Sequence, residues 1–403
     1  MCRNPNLTLA KMNKLTEILH DISRAFVTEY KLLFTDAGAL LFIIFLPLAY
    51  PVLYSSVYNP EIMKDIPVAV VDDCRTPMSR QYARMLDATD LLKVAGYAAN
   101  MQEAKTMLNR KDVFGVVHLP EDFSRKVGRG EQADIEVYAD MSVFLRYKNI
   151  MSATTVVGNE LGSKVQSSKL TGLENAPSAN AMPVPFRIVP LGNSTMGMAS
   201  ALLPGILVMI LQQVFVLCIC MVMATSRERK LANGGIDPQA ANVGAFAMLI
   251  GKSLCYFTIM IAPMIYLWRF MPIAFSLPQN GHLIDVFMLA VPFIFAVIFF
   301  ALTMQTFVRK REEVFCVVVV TSVFFVFISG ISWPRFAMNP FWTIVGDAIP
   351  STWAVQGLWG ISNMGATLAQ QRTCYLALWL LAAAYFVISY LLLRFVDHQR
   401  KIE

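Results

Sequence analysis

Long apolar runs broken by short charged segments dominate the pattern along the chain. Runs at about 37–57, 199–224, 246–268, 284–307, 314–332 and 374–396 stand out. Each is long enough to cross a bilayer, which takes roughly 20 apolar residues. Pro47 and Pro51 interrupt the first run, and membrane helices tolerate such prolines better than soluble ones do. Ahead of it, Leu15, Ile18, Leu19, Ile22, Phe26, Tyr30 and Leu33 recur at helical spacing, while Lys14, Glu17, Asp21, Arg24 and Lys31 fill much of the rest. Residues 14–34 therefore read as an amphipathic helix, lying in the membrane interface or packed on a partner protein.

Between the first two runs the pattern changes. Ile66 to Val71 is a buried-strand run ended by Asp72-Asp73, and Ser79 to Leu86 and Met101 to Leu108 have helical spacing. Val113 to Leu119 reads as a second strand. Pro120-Glu121-Asp122-Phe123 then opens a helix, with proline at its first position and carboxylates at its positive end. That helix closes near Gly128 or Gly130, Ile135 to Tyr138 alternates as a further strand, and a helix follows from about Leu145 to Ser167. The Pro/Ser/Asn-rich stretch 171–185 reads as a loop. Strands alternating with helices predict a small α/β domain over 58–198. Farther on, 333–372 mixes tryptophans with helix breakers (Trp333-Pro334, Asn339-Pro340, Pro350, Trp353, Trp359), which suits an interfacial or re-entrant segment.

Charge orients the spans. Arg24 and Lys31 precede the first span, Arg227, Arg229 and Lys230 follow the second, Arg309 to Arg311 follow the fourth, and Arg394, Arg400 and Lys401 close the chain. The other side has only Arg269, Arg335 and Arg372 in its short connections. The positive-inside rule then places both termini in the cytoplasm. The predicted fold is an α-helical polytopic membrane protein with six transmembrane helices, N-in and C-in, and an α/β extracytoplasmic domain inserted after the first. Its parts are 1–36, the first span 37–57, the domain 58–198, and the remaining spans 199–403 with a cytoplasmic loop 225–245. With 56% hydrophobic and 15% charged residues among 403, the composition fits lipid contact. The net charge of +6 sits in these short loops, so nucleic acid is not an expected partner. The first run begins behind a long charged stretch, so no cleavable signal peptide is expected, and Met12 before Asn13-Lys14 reads as an alternative start.

Little enzymatic chemistry is encoded. Gly251-Lys252-Ser253 imitates the end of a phosphate loop, but Phe246 stands where the leading glycine is needed and the run enters a span. His20, His118, His282 and His398 lie in unrelated segments, and the seven cysteines show neither metal spacing nor a disulfide framework. No catalytic, metal or cofactor residue is predicted. Polar residues inside the spans are few: Gln212, Gln213 and Gln305, with Lys252 placed to snorkel from a helix end. Gln212 and Gln213 face about 100° apart, so at most one lines a pathway, and hydrogen bonding between helices is the alternative role.

Four stretches in order resemble the ABC-2 type permease family, in its exporter branch with a large extracytoplasmic domain after the first span. They are Phe114-Gly115-Val116-Val117 through Leu119-Pro120-Glu121-Asp122-Phe123-Ser124 with Gly128 and Gly130; Pro204-Gly205 behind Asn193, with Ser194 departing from the family's Asn-Pro; Arg227-Glu228-Arg229 with Gly251-Lys252; and Ser329-Gly330, Trp333-Pro334, Met338-Asn339-Pro340 and Ile349-Pro350-Ser351-Thr352. The run Lys230 to Pro238 departs from the family's usual coupling segment. The resemblance implies a multi-pass protein of the bacterial inner membrane that works as the permease subunit of an exporter, with drugs, lipids or other amphiphiles as substrate classes. ATP would be bound and hydrolysed on a separate ATPase subunit, a second permease subunit would complete the pathway, and a periplasmic adaptor would be a further partner. Arg24, Arg227, Glu228, Arg229 and Lys230 are then the candidates for coupling to the ATPase, and Gln212 and Gln213 for lining the pathway. A membrane-anchored sensor or scaffold, binding a ligand with its external domain, is the alternative.

Overall fold

The computed structural model describes residues 5–58, 62–170, 192–193, 197–234, 243–308 and 310–402. The chain divides into two compact units, one of residues 1–59 with 190–403, the other of residues 60–189.

The larger unit is helical. Its elements are α1 (Pro5–Thr35) and α2 (Ala37–Tyr58), then, after the smaller unit's α3 to α6, α7 (Met198–Ala232), α8 (Ala245–Ile265), α9 (Met271–Ala274), α10 (Leu283–Met304), α11 (Arg311–Ile328), α12 (Pro340–Asp347), α13 (Pro350–Leu358) and α14 (Arg372–Ile402). Helix α7 is the centre: 83% of its most apolar stretch is buried, against 22% for α2 and 17% for α14. Helices α2, α10, α11 and α13 pack around it, while α8 joins α1 to α10 and α14. A helix apolar on all sides has only this place in a bundle. Between α11 and α14 the chain forms short helices, with α13 buried against α7 and α10. Arg335 pairs with Asp347 there and lies over the Trp353 ring, 5.2 Å from its centroid.

Five helical segments among the described residues are long and apolar enough to cross a membrane: α2, α7, Ala245–Ala274, Leu283–Phe307 and Arg372–Phe395. The expected span at 314–332 is represented by α11, whose first three residues are Arg311, Glu312 and Glu313. The apolar part left, 314–328, rises about 22 Å at 1.5 Å per residue, short of the roughly 30 Å hydrocarbon core. Gly330, at φ +95°, turns the chain just beyond it. The loop expected over 225–245 begins later, because α7 stays helical to Ala232 and carries Arg227 to Lys230 on its last turns. Nothing in Ser226 to Ala232 breaks a helix, and the stop comes at Asn233 and Gly234 (φ +66°). Residues 235–242, with Asp237 and Pro238, and the loop expected at 171–185 lie outside the described residues.

The smaller unit is built on a four-stranded sheet of order β2-β1-β3-β4. Strands β1 (Ile66–Asp72), β2 (Leu92–Ala98) and β3 (Gly115–Leu119) are parallel, and β4 (Glu136–Ala139) is antiparallel to β3. Its helices are α3 (Pro77–Asp87), α4 (Met101–Arg110), α5 (Phe123–Arg129) and α6 (Phe144–Leu170). The continuous apolar run of β1 is explained by cover on both faces. Ile66, Val68 and Val70 pack with Tyr82 and Leu86 of α3, Phe123 of α5 and Ile150 of α6. Ala69 and Val71 pack with Ala104 of α4. Strand β2 is not evident in the sequence, since Ala95-Gly96 at its middle are poor strand formers. Helix α5 starts at Phe123 and not at Pro120, which occupies the turn before it.

Three segments meet at His118. Its Nε2 lies 2.8 Å from Asp73 and its Nδ1 3.0 Å from Glu136 on β4. Partial burial opposes the charged ring, but hydrogen bonds to Glu136 and Asp73 hold its pKa above the ordinary 6.5. The same bond to His118 holds the Glu136 carboxyl below its ordinary 4.5. The histidine's contribution is complete below its unfolded pKa and lost as pH rises through the folded one. The glutamate's is present above its unfolded pKa and lost as pH falls through the depressed folded one. Amide exchange in β4, corrected for intrinsic rates, is therefore expected to be slowest between these two limits and to quicken as pH rises past the histidine's pKa. His118→Gln should flatten this profile, and an unchanged profile would remove the link.

Candidate functional site

Charged side chains converge at one end of the helical unit, where α1 and α2 meet the C-terminus of α7 and the N-termini of α8 and α11. Two buried carboxylates organise it. Glu29, only 2% exposed, lies on the face of α1 that also carries Ala25, Leu32 and Leu33. Its Oε2 is 3.2 Å from Lys252 Nζ of α8, and its Oε1 accepts a 2.7 Å hydrogen bond from the Tyr256 hydroxyl. Lys252 also reaches the Met223 thioether of α7 at 2.9 Å. The contact requires α1 and α8 to approach closely at Gly251, where a Cβ would stand 2.8 Å from the Ile22 carbonyl oxygen. The phosphate-loop look-alike Gly251-Lys252 is thus a helix-packing glycine followed by an ion-pair lysine.

Asp36 links α1 to α2 and caps α2, its Oδ1 accepting the Gly38 and Ala39 N–H groups at 3.1 Å each. Thr225 of α7 donates to its Oδ2 at 2.8 Å, and Arg311 of α11 meets its Oδ1 at 2.6 Å. Burial raises the Asp36 pKa, but the bonds from Ala39, Thr225 and Arg311 outweigh it and hold the carboxyl below its ordinary value. Leu32, Thr35, Asp36, Val222, Arg229 and Arg311 border a cavity of about 200 Å³ at this point.

The residues singled out in the sequence divide around this junction. Arg227 donates to the Val308 carbonyl ahead of α11. Glu228 accepts the Arg311 backbone N–H at 3.0 Å and so holds the start of α11. Arg229 borders the cavity, and Lys230 is half-buried on the same helix end. Arg24 stands apart, exposed on α1. Gln212 is fully buried and accepts the Ser351 N–H at 2.8 Å, tying α7 to α13. Gln213, also buried, has no partner for either amide atom among the described residues. Glu29, Asp36, Lys252, Tyr256 and Arg311 are the members that sequence reasoning did not assemble. The available signal was a glutamate on the Ala25–Leu32 side of α1, four residues after one apolar residue and three before another.

Residues 38–391 match the model of the family described as ABC-2 family transporter protein. The chain belongs to this family. No curated protein matches it. ABC-2 permeases are the membrane component of ABC transporters and normally work with an ABC ATPase. In this permease the match runs through α2, the smaller unit and nearly all of the remaining helices, so the charged junction lies mostly inside it; Glu29 and Asp36 fall just before its first residue.

Removing one member of a buried pair strands the other's charge, at a cost of about 3–5 kcal/mol. Lys252→Met is accordingly expected to lower the unfolding midpoint in detergent sharply, and Glu29→Gln/Lys252→Met to recover most of the loss. A double variant no better than the single one would show that the pair does not couple α1 to α8.

Proposed function

We propose that this ABC-2 permease is the membrane subunit of an ATP-driven exporter in a bacterial inner membrane, with the charged junction on the cytoplasmic side receiving the motion of a separate ATPase. The observation that carries the reading is the junction itself. Arg227, Arg229 and Lys230 end α7 where Arg311 begins α11 and Lys252 stands two turns into α8, an accumulation of cations typical of a cytoplasmic face. The same place holds α1 and α2 to these helices through buried charge pairs, so a displacement of α1 or of the α7 end moves spans and not merely loops.

On this reading α11 completes a sixth crossing together with the residues that follow it, both termini are cytoplasmic, and the smaller unit is extracytoplasmic, where it meets a periplasmic adaptor or gates the exit. Two permease subunits enclose the pathway. Of the two glutamines, Gln213 is the better lining candidate, because Gln212 is already engaged with Ser351. A drug, lipid or other amphiphile is the substrate class.

Purification in mild detergent from the native host is expected to recover a nucleotide-binding subunit in stoichiometric amount. Glu228→Lys should leave that assembly intact, since the side chains of the Glu29–Lys252 and Asp36–Arg311 pairs are unchanged and only the bond to the Arg311 backbone is lost, while ATP hydrolysis continues and transport falls. Transport at the original level would sink the coupling role, and a preparation without any ATPase, supported by crosslinking in intact cells, would sink the exporter reading.

A further inference from the structure

Three arginines of the smaller unit face one open groove. Arg75 follows β1 with a left-handed backbone (φ +49°), and Arg80 and Arg84 stand a turn apart on α3. Together with Tyr97 of β2, which is 61% exposed, they border a groove of about 830 Å³. Elsewhere in this unit Lys64, Lys126, Arg129, Arg146 and Lys164 each sit within 4.0 Å of a carboxylate. None of the three groove arginines does so among the described residues. Asp72 also borders the groove, but its oxygens already accept the Arg75 N–H at 2.9 Å and the Ser79 hydroxyl at 2.6 Å. Arg80 donates to the Arg75 carbonyl at 3.3 Å, which keeps the loop arginine beside the helical ones.

The position and form of the groove narrow its occupant. It lies at the C-terminal ends of parallel strands, where open α/β sheets bind ligands. Its cations are exposed and separate, Arg80 and Arg84 standing one helical turn or roughly 6 Å apart and Arg75 in the turn before the helix, so a single small anion would engage one of them and be screened. Several carboxylates on one chain would engage all three, with bidentate geometry available at each guanidinium. Strand addition at the neighbouring edge is blocked, because the Leu92, Val94 and Ala99 N–H groups are taken by the side chains of Thr89, Asp87 and Glu103. Recognition here is by side chains. We infer that the groove docks an acidic segment of a partner protein, its carboxylates on Arg75, Arg80 and Arg84 and an apolar residue on Tyr97. The inference holds whether or not the chain is an exporter.

The test uses the full chain in detergent micelles and a fluorescein-labelled peptide of six Glu-Leu repeats, followed by anisotropy at low salt. Arg75→Ala/Arg80→Ala/Arg84→Ala is expected to weaken binding about ten-fold, the sum of three exposed charge contacts. Arg80→Gln/Arg84→Gln, which leaves the Arg75 turn untouched, should give an intermediate loss and guards against misfolding of the triple variant. Lys105→Ala/Arg110→Ala/Lys148→Ala removes the same charge from exposed positions on α4 and α6 and should change little. Absence of peptide binding, or equal weakening in both triple variants, would overturn the inference. So would loss of binding to phosphatidylglycerol vesicles in the arginine variant with peptide binding unchanged, which would mark a membrane-facing surface instead.

Discussion

Glu29 and Asp36 set the terms on which these helices meet. A carboxylate taken into a low-dielectric bundle costs several kcal/mol unless cations and hydrogen-bond donors surround it. Glu29 finds Lys252 and Tyr256 on one helix, and Asp36 finds Thr225, Arg311 and the first amides of α2 on three. These directional contacts fix α1 against α8 and α2 against α7 and α11. They also turn the amphipathic face of α1. Ile18, Leu19, Tyr30 and Phe34 stay exposed, while the side with Ala25 and Glu29 is buried. An apolar stripe of α1 thus stays outside while a charged side chain goes in, held there by one ion pair.

Around α7 the constraint is of another kind. Its neighbours in a membrane would gain nothing from hydrophobic exclusion, so close packing and a few buried hydrogen bonds must select the partners. Gly205 supplies such a contact, since a Cβ there would stand 3.0 Å from Ile331 and 3.2 Å from Trp359. Gln212 supplies another by satisfying an amide at the start of α13, a group with no acceptor inside its own helix. The short buried helix between α11 and α14 is tolerable for the same reason: its free backbone end is paired within protein.

The sequence made some of this legible and concealed the rest for physical reasons. Apolar runs reveal spans because length and composition alone define them. For α11 they run on to 332, past the helix end at Ile328 and the turn at Gly330, and they say nothing about which face of a helix turns inward. The sheet of the smaller unit was readable at β1 and β3, whose β-branched runs are dense, and not at β2, where Gly96 and two alanines dilute the signal. The charged end of α7 could be recognised as a cluster of like residues. Its partners could not, because Glu29 and Lys252, or Asp36 and Arg311, lie hundreds of positions apart and each looks ordinary in its own segment. Lys252 reads locally as a snorkelling side chain, and only the fold shows it turned inward to Glu29.

Directional contacts also matter for how the junction could pass on motion. Two apolar surfaces can slide with little penalty until packing is lost, so a push on one is absorbed by rearrangement of the other. An ion pair at the buried α1–α8 contact behaves differently, because separation leaves a charge without its partner and the cost rises at once. If the proposed ATPase contacts α1 or the end of α7, the lower-energy response is for α1 and α8 to move together. Glu228, holding the start of α11 from the end of α7, extends the same argument to α11. The charges that make this end of the bundle expensive to bury are therefore the ones that would let it move as a body.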